Sequence, residues 1–525
     1  MPKMLAVVVA ALAVAPVQAG RVDTVGGTTV DWQLNGPVLR TLINSEGHGV
    51  HVSWMYSASE QTPYPDRNTR YNYYDYATRE WNWIDPDHMQ SGVDVIPGER
   101  AGYGNLAANP LTGAALFAAH AGTPLHPLLM RDLLAGGGLF EYCVGPEGYV
   151  WPVVATGDTD WVHILMLDDA TRDALFYSRC TTWCNWNPPV QLGVSGYQGQ
   201  VIAASRVSGR VVASWSGSED SFLPWRAYHR ESTDRGATWL ATESLPPPPA
   251  FGGDTVAAFT QLSAFPYYDR GDRLHFAAGV QPVVDGLMLV VPSEIWHWCR
   301  DNEPRWSRVH RAEGELLAPV GYNGYYACRP SIGEDASGGL YVAWEEFDGE
   351  NVEHRTDRLR ADIWWSRDAY DNGASWQAAA SMTTPDSTSK RFPCVVDRLD
   401  ADTLVVTYLV DLVAGFHVYG EGPATRNPVI VHRVPVEVIG VGESGRSGYS
   451  SAGRLPGIVR GVLRMEDRGP GTGDRMELLD VSGRKVMELK PGSNDVSRLA
   501  PGVYFLRVGE ESRGRPGVRR VVLQR

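Results

Sequence analysis

Short runs of alternating apolar and polar residues, separated by turns rich in glycine and proline, recur along most of the chain. The clearest example covers residues 328–344, where a strand, a glycine turn and a second strand of alternating apolar residues follow one another. Alternation with a period of two is typical of a strand with one buried face. Residues 362–367 supply a third strand and a fourth begins at Trp376, so the sequence predicts one four-stranded sheet.

The outline of this sheet recurs along the chain. Second strands of the same kind are predicted at residues 50–54, 115–119, 162–167, 211–215, 274–279, 340–344 and 404–408. Repeated sheets favour radial closure, which leaves each sheet with only short protected edges. The last repeat, 391–439, has a weak fourth strand, and residues 28–33 could complete that sheet and close the ring. The predicted fold is all-β, a seven-bladed β-propeller over residues 20–439, with six blades as the alternative.

The pattern changes beyond the predicted propeller. Residues 440–454 are rich in glycine and serine, which is typical of a flexible linker. Four short strands follow among glycine, proline and asparagine turns, at residues 475–479, 485–489, 503–508 and 518–523. Residues 455–525 are therefore predicted to form a small C-terminal β-sandwich.

The net charge of the chain argues against one class of binding partner. The 525 residues carry a formal net charge of -14. A nucleic-acid backbone would be repelled over most of such a surface, so no nucleic-acid partner is predicted.

Residues 1–19 have the composition of a removable signal peptide. Lys3 is their only charged residue, an apolar run covers residues 4–14, and Val17 and Ala19 are small residues at the two positions that a signal peptidase reads. The apolar run is shorter than the roughly 20 residues needed to cross a bilayer, and no later stretch qualifies as a transmembrane segment. The sequence therefore predicts export.

Export would place the cysteines in an oxidising compartment, where an even number permits pairing. The six are Cys143, Cys180, Cys184, Cys299, Cys328 and Cys394. Their connectivity stays open, and buried thiols are the alternative to disulfides. A zinc site at Cys180 and Cys184 is a rival interpretation that lacks a companion pair at ligand spacing. No metal or cofactor is predicted, with Ca²⁺ at acidic loops as the alternative.

Two turn motifs bear on the architecture. The first fits the pattern Ser-x-Asp-x-Gly-x-Thr-Trp and the second repeats its latter half. Their residues are Ser232, Asp234, Gly236 and Trp239, and Asp371, Gly373 and Trp376. In such a turn Asp can accept backbone N–H bonds, Gly takes a positive φ, and Trp packs on the neighbouring sheet. These residues resemble the Asp-box, or BNR, repeats of sialidase-like propellers, which implies a structural role between third and fourth strands, opposite the substrate pocket.

A sialidase resemblance would require an arginine cluster, a nucleophilic Tyr with a Glu partner, and a general-acid Asp. Arg329 stands at the start of its strand as required, whereas Arg40 lies in a Leu-Arg-Thr context instead of the family's Arg-Ile-Pro. Arg391 is one residue out of register with Arg329, which predicts that its side chain turns to the other face. No Tyr–Glu pair is evident. The sequence therefore assigns no catalytic residue and leans away from an enzyme.

Strand order locates a candidate binding face, because first strands begin and second strands end at the same end of a propeller. The residues predicted to lie there are Arg40, Trp54, Tyr56, His120, Asp168, Glu219, Arg329, Glu345 and Glu346. Acidic and aromatic side chains among long loops suit a glycan, peptide or protein ligand, and solvated loop residues are the plainer interpretation. The predicted function is a binding module, with a sialidase-like glycoside hydrolase or lyase as the alternative.

The C-terminal region carries a further motif. It comprises Asp480, Gly483, Arg484, Gly502 and Tyr504, followed by a basic and apolar final strand. This combination resembles the type A sorting domain of type IX secretion cargo over roughly residues 455–525. The resemblance implies passage through the periplasm, recognition by the type IX translocon, and release from or attachment to the cell surface. An ordinary accessory sandwich is the alternative.

Overall fold

The chain divides into two compact units, Met1–Gly442 and Glu443–Arg525, in a computed structural model. In the first unit the structure describes residues 20–195, 199–217, 226–252, 255–260, 262, 264–400 and 403–435. In the second unit it describes residues 458–460, 462–465, 476–480, 484–490, 492–496, 498–500, 502–508 and 517–524. The predicted signal peptide and linker lie outside these residues.

The described part of the first unit forms seven antiparallel sheets, which are numbered here as blades. The chain begins with β1 (Arg21–Thr28). Blade 1 contains β2 (Leu42–Ser45), β3 (Gly49–Tyr56), β4 (Asn68–Asp75), β5 (Glu80–Trp81) and β6 (Val93–Asp94). Blade 2 contains β7 (Ala101–Ala108), β8 (Ala115–Ala121), β9 (His126–Asp132) and β10 (Phe140–Val144). Blade 3 contains β11 (Tyr149–Thr156), β12 (Val162–Asp168), β13 (Ala174–Cys180) and β14 (Val190–Val194).

Blade 4 contains β15 (Val201–Ala204), β16 (Val211–Gly217), β17 (Arg226–Ser232) and β18 (Glu243–Leu245). Blade 5 contains β19 (Val256–Phe259), β20 (Phe265–Tyr268), β21 (Leu274–Val284), β22 (Leu287–Met288), β23 (Ser293–Cys299) and β24 (Trp306–Ala312). Blade 6 contains β25 (Ala327–Glu334), β26 (Leu340–Glu353), β27 (Arg358–Arg367) and β28 (Ala380–Ser381). Blade 7 contains β29 (Ser389–Val395), β30 (Thr403–Asp411) and β31 (Asn427–Pro435), to which β1 is added.

Each of the seven predicted second strands is present, as β3, β8, β12, β16, β21, β26 and β30. The first unit is therefore a seven-bladed β-propeller, which confirms the predicted fold. Two single-turn 3₁₀ helices, His88–Gln90 and His417–Tyr419, interrupt the loops.

The strand that closes the ring lies earlier than residues 28–33, where the sequence placed it. β1 pairs with β31 from Arg21 opposite Arg433 to Thr28 opposite Asn427. Gly26 and Gly27 interrupt the apolar alternation of this strand, and a Cβ at Gly26 would overlap the ring of Trp54. Close packing against blade 1 thus requires a residue that weakens the sequence signal for a strand.

The first strands of four blades share one irregularity. Their register with the second strand shifts beside a residue of positive φ, and these residues are Tyr103, Trp151, Arg329 and Phe392. A bulge of this kind breaks the alternation of side chains between the two faces. The prediction that Arg391 faces away from Arg329 is therefore wrong, because both side chains bind Glu345.

Glycine turns between third and fourth strands join neighbouring blades. Gly136, Gly236 and Gly373 lie in such turns of blades 2, 4 and 6, and each has a positive φ. A Cβ at these positions would overlap a ring of the preceding blade, respectively Tyr73, Tyr177 and His297. Only glycine meets both the conformational and the spatial requirement.

The two turn motifs identified in the sequence hold Gly236 and Gly373 in place. Asp234 accepts hydrogen bonds from the Thr238 N–H and from the Ser232 hydroxyl, both at 2.8 Å. The ring of Trp239 then packs at 4.7 Å on Tyr177 of the preceding blade. In the second motif Asp371 accepts from the Ser375 N–H at 3.0 Å. The ring of Trp376 lies 5.4 Å from that of His297 in blade 5.

A disulfide joins Cys143 of blade 2 to Cys184 in the loop after β13 of blade 3. Cys180, Cys299, Cys328 and Cys394 are buried thiols. The zinc interpretation fails because Cys184 is already bonded to Cys143. Among the described residues no group of three or more His, Cys, Asp or Glu side chains could hold a metal ion. The part of the chain that the structure describes contains no helix long and apolar enough to span a membrane.

The described residues of the second unit form a five-stranded sheet and a two-stranded sheet. The larger sheet has the order β32 (Ile458–Arg460), β38 (Gly517–Gln524), β37 (Gly502–Val508), β34 (Met476–Leu479) and β35 (Lys485–Leu489). The smaller sheet pairs β33 (Val462–Met465) with β36 (Gly492–Asp495). Each of the four strands predicted from the sequence of this unit is among them.

Candidate functional site

The top face of the propeller is defined here as the end at which β3, β8, β12, β16, β21, β26 and β30 finish. The segment 29–41 runs along this face from β1 to β2. Its Leu34 and Pro37 line a small pocket together with Tyr103 and Trp151 of blades 2 and 3. Its Trp32 packs edge-on against Phe416 of blade 7, with the ring centroids 4.7 Å apart. The segment therefore covers the axial end of the first strands from several blades.

Arg40, at the end of this segment, lines a cavity at the axis of the propeller. This cavity, called the axial channel below, is enclosed by first strands of several blades. Arg40 donates hydrogen bonds to the backbone oxygens of Val395 at 2.7 Å and Ile332 at 3.3 Å. Its guanidinium also lies 4.7 Å from the ring centroid of Phe265. Arg40 thus fastens three first strands to one another instead of standing on an open rim.

Arg329 and Glu345 form the centre of a buried ionic cluster. Both side chains are 0% exposed, and Arg391 of blade 7 binds the same carboxylate. The Phe392 N–H donates to Glu345 Oε2 at 2.8 Å. Burial would raise the pKa of Glu345, but the two guanidiniums and this N–H lower it to about 2. The carboxylate is consequently ionised at neutral pH.

Aromatic rings seal this cluster. Phe392 lies 4.8 Å from the Arg329 guanidinium, and Phe347 and Phe416 each lie 4.8 Å from that of Arg391. These rings lie between the top face and the charged groups. Both arginines are also already paired with Glu345.

The remaining predicted site residues are spread over several blades. Trp54 is buried and donates its indole N–H to Gly27 O at 3.1 Å. The Tyr56 ring lies beneath the Arg70 guanidinium at 3.8 Å. Asp168 accepts from the Thr171 N–H at 3.1 Å and so stabilises the turn after β12.

Glu346 of β26 accepts from Trp344 Nε1 at 2.9 Å and lies 3.1 Å from His310 Nε2. His120, at the end of β8, is 3% exposed and contacts Arg67. Glu219 lies outside the described residues. Of the predicted residues that it describes, the structure therefore brings together only Arg329 and Glu345.

An aromatic group on the top face was not identified from the sequence. Tyr322 and Tyr419 are 48% and 42% exposed, and their rings stack with centroids 3.8 Å apart at an angle of 23°. Trp32 lies beneath both, at 5.5 Å and 5.0 Å. We call these three residues the aromatic platform.

Glu421 positions the platform. Its carboxylate accepts from the N–H of Tyr322 at 2.9 Å and from the N–H of Phe416 at 3.1 Å. Arg358 Nε donates to the same carboxylate at 3.2 Å. One side chain thus joins the loop before β25 to the loop after β30. The sequence feature that could have indicated the platform is an aromatic residue close to a glycine in two top-face loops, Tyr322-Asn-Gly and Val418-Tyr-Gly.

In the second unit, two parts of the C-terminal motif are described. Asp480 and Arg484 close a turn through Arg484 N–H to Asp480 Oδ1 at 3.0 Å and Asp480 N–H to Arg484 O at 2.9 Å. The Tyr504 hydroxyl donates to Ala500 O at 2.8 Å. Gly502 begins β37, and Gly483 lies outside the described residues.

The fold and this face define the class as a seven-bladed β-propeller. No protein-family model matches the chain, and no curated protein matches it. The α-L-arabinanase of Penicillium chrysogenum with arabinobiose is 10% identical with a TM-score of 0.39, covering 77% of this chain and 99% of that one. A Hadza microbial sialidase is 12% identical with a TM-score of 0.38, covering 78% and 68% respectively. The polysaccharide lyase Uly1 is 11% identical with a TM-score of 0.39, covering 76% and 90%. Each similarity is one of fold alone.

Proposed function

We propose that the propeller is a saccharide-binding module whose ligand lies on the aromatic platform. The observation that carries the proposal is the exposed, stacked pair of Tyr322 and Tyr419 above Trp32. A sugar ring presents C–H groups on one face and hydroxyls around its edge. Tyrosine offers an apolar face and a polar tip, which suits such a ligand at a wet surface. Because Glu421 fixes both loops, little order has to be gained on binding.

Binding is favoured over hydrolysis because three arginines that could hold a substrate carboxylate are already paired with protein groups. Arg329 and Arg391 are buried on Glu345, and Arg40 is bound to backbone oxygens in the channel. A substrate carboxylate would have to displace these partners and the covering rings. Turnover of a glycoside or a polysaccharide is therefore the competing outcome of the test.

The test measures binding of the purified chain to an array of glycans and then by calorimetry to the strongest hit. Tyr322→Ala and Tyr419→Ala should each weaken binding about tenfold, equivalent to about 1.4 kcal/mol. Tyr142→Ala is the matched control, since Tyr142 is 43% exposed on the outer strand β10. Unchanged affinity in both platform variants overturns the proposal. Release of product from sialyl or uronate substrates supports the hydrolase or lyase alternative instead.

We also propose that residues 455–525 direct the chain, after its signal peptide is removed, through the periplasm to the type IX translocon. The closed turn at Asp480 and Arg484 and the Tyr504 contact support a compact signal. The protein would then be released or attached to the outer surface. Truncation after Gly448, in a bacterium with this secretion system, should leave the propeller in the periplasm. Appearance of the truncated chain outside the cell contradicts the assignment.

A further inference from the structure

Two arginines near the platform have no acidic partner among the residues that the structure describes. Arg67, just before β4, donates Nε–H to Ala101 O at 2.8 Å. Arg100, just before β7, donates to Tyr64 O at 3.0 Å and to Pro63 O at 2.7 Å. Among the described residues no carboxylate lies within ion-pair distance of either guanidinium. Backbone oxygens therefore orient both groups without neutralising them.

The electrostatics around Arg67 agree with this geometry. Burial and the charge of Arg100 lower the pKa of Arg67 to about 10, and Tyr103 opposes this shift. Two half-buried cations side by side are unfavourable unless a counter-charge is supplied. The described residues thus leave two guanidiniums without an ion-pair partner at the junction of blades 1 and 2.

His120 contacts one of these arginines. Its Nε2 lies 3.2 Å from Arg67 Nη2. Because a guanidinium can only donate, Nε2 is the acceptor, and a neutral ring must carry its proton on Nδ1. Burial and the charges of Arg67 and Arg100 lower the pKa of His120 to about 3, so the ring is neutral at pH 7. Nδ1 is buried and has no hydrogen-bond partner among the described residues.

Tyr103 lies between this group and the aromatic platform. The Arg67 guanidinium lies 5.6 Å from its ring centroid, and the His120 ring lies 5.4 Å from it. On the other side, Tyr103 packs against the same buried cluster as Val418, the residue that precedes Tyr419. A single bound molecule can therefore contact both places.

We propose that Arg67 and Arg100 form an anion site beside the neutral His120 ring, which binds the carboxylate or sulfate group of an acidic saccharide seated on the platform. This inference rests on the proposed function and specifies its ligand class. Guanidinium groups bind planar oxyanions through paired, charge-assisted hydrogen bonds. The arrangement differs from Arg329 and Arg391, whose charges Glu345 already engages.

The experiment compares tetragalacturonate, its neutral methyl ester and a sulfated neutral tetrasaccharide by calorimetry at low salt. The wild-type chain should bind tetragalacturonate at least tenfold more tightly than the ester, and the preference should fall as salt rises. Arg67→Gln and Arg100→Gln should each remove most of this preference while leaving affinity for the ester unchanged. Arg305→Gln is the matched control, since Arg305 is exposed in the turn between β23 and β24, at the other end of the propeller.

The outcomes separate the two proposals. Equal affinity of the wild-type chain for acid and ester, or a preference that persists in both arginine variants, overturns the anion site. Loss of ester binding in Tyr322→Ala with retained acid preference supports both. Acid binding that depends on Arg67 but not on Tyr322 supports the anion site and rejects the platform. Tight binding of the sulfated probe with the same arginine dependence assigns sulfate as the anion. If the sulfated probe does not bind tightly, the anion is the carboxylate.

Unchanged thermal unfolding of Arg67→Gln shows that the variant is folded.

Discussion

Glu345 of blade 6 accepts two hydrogen bonds from Arg391 of blade 7, at 3.2 Å from Nε and 3.1 Å from Nη2. Arg329, from the first strand of blade 6, binds the same carboxylate. One carboxylate therefore links two blades at the top face, and its removal would leave two guanidiniums buried without their common partner. This arrangement makes the cluster a stabilising element of the ring.

Glu345→Gln should lower the free energy of unfolding by about 3–5 kcal/mol, because removing one partner of a buried ion pair leaves uncompensated charge. The measurement is urea denaturation at pH 7. Glu243→Gln is the control, since the Glu243 side chain is 52% exposed, and should change stability by less than about 1 kcal/mol. Equal stability of the Glu345 variant and the wild-type chain would contradict this role.

Glycine at position 236 is expected to be required for two separate reasons. Ala at this site must adopt a φ of +78° and its Cβ would overlap the Tyr177 hydroxyl. Gly236→Ala should therefore cost about 1–2 kcal/mol for the left-handed backbone and about 1–3 kcal/mol more for the overlap.

Gly338→Ala should carry only the cost of the left-handed backbone, without the overlap. Gly338 has a φ of +82°, but no atom lies within 4 Å of a Cβ placed there. Thermal unfolding should rank the wild-type chain above Gly338→Ala and Gly338→Ala above Gly236→Ala. The reverse order of the two variants would show that the contact with the preceding blade is unimportant.

The disulfide between Cys143 and Cys184 should stabilise the contact of blades 2 and 3. Replacing both cysteines by serine should lower the free energy of unfolding by about 3–4 kcal/mol, as expected for a crosslink over a loop of this length. A reductant should destabilise the wild-type chain and leave the double variant unchanged. Equal sensitivity of the two proteins to reductant would place the effect at another cysteine.

The sequence predicted the seven second strands because each is an alternating run that stays regular in the structure. It misplaced Arg391 because a bulge at Phe392 breaks the alternation on which register arguments depend. Proline follows Trp151, Arg329 and Phe392, and this repeated pairing was the available signal for the bulges. Glu345 looked like a rim acid because it follows the predicted second strand, whereas it is buried beneath Phe347 of its own blade and Phe392 and Phe416 of blade 7.

The platform could not be predicted for a related reason. Tyr322 and Tyr419 lie in loops almost 100 residues apart, and Glu421 and the segment containing Trp32 bring them together. Loop conformation of this kind depends on tertiary contacts that leave no periodic pattern in the sequence.

Asp31 should make the platform and the propeller sensitive to pH. It is buried, and its Oδ2 accepts the His417 N–H at 2.5 Å, which holds the 3₁₀ helix that carries Tyr419. Burial raises the pKa of Asp31 to about 6, although the His417 N–H and the Tyr64 hydroxyl oppose the shift. Burial and the charge of Asp31 raise the pKa of Asp411 as well.

The folded chain thus binds a proton more tightly at Asp31 than the unfolded chain does. Stability should fall as pH rises from about 4 to about 6, by about 2–3 kcal/mol, and stay lower above that window. Asp31→Asn, which keeps an acceptor for His417 but cannot ionise, should flatten the curve and be more stable than the wild-type chain at pH 7.5. Asp411 still titrates, so some slope will remain. Urea midpoints at pH 4.5 and 7.5 measure the difference, with Asp301→Asn as an exposed control. A variant with the wild-type slope across this window would refute the assignment to Asp31.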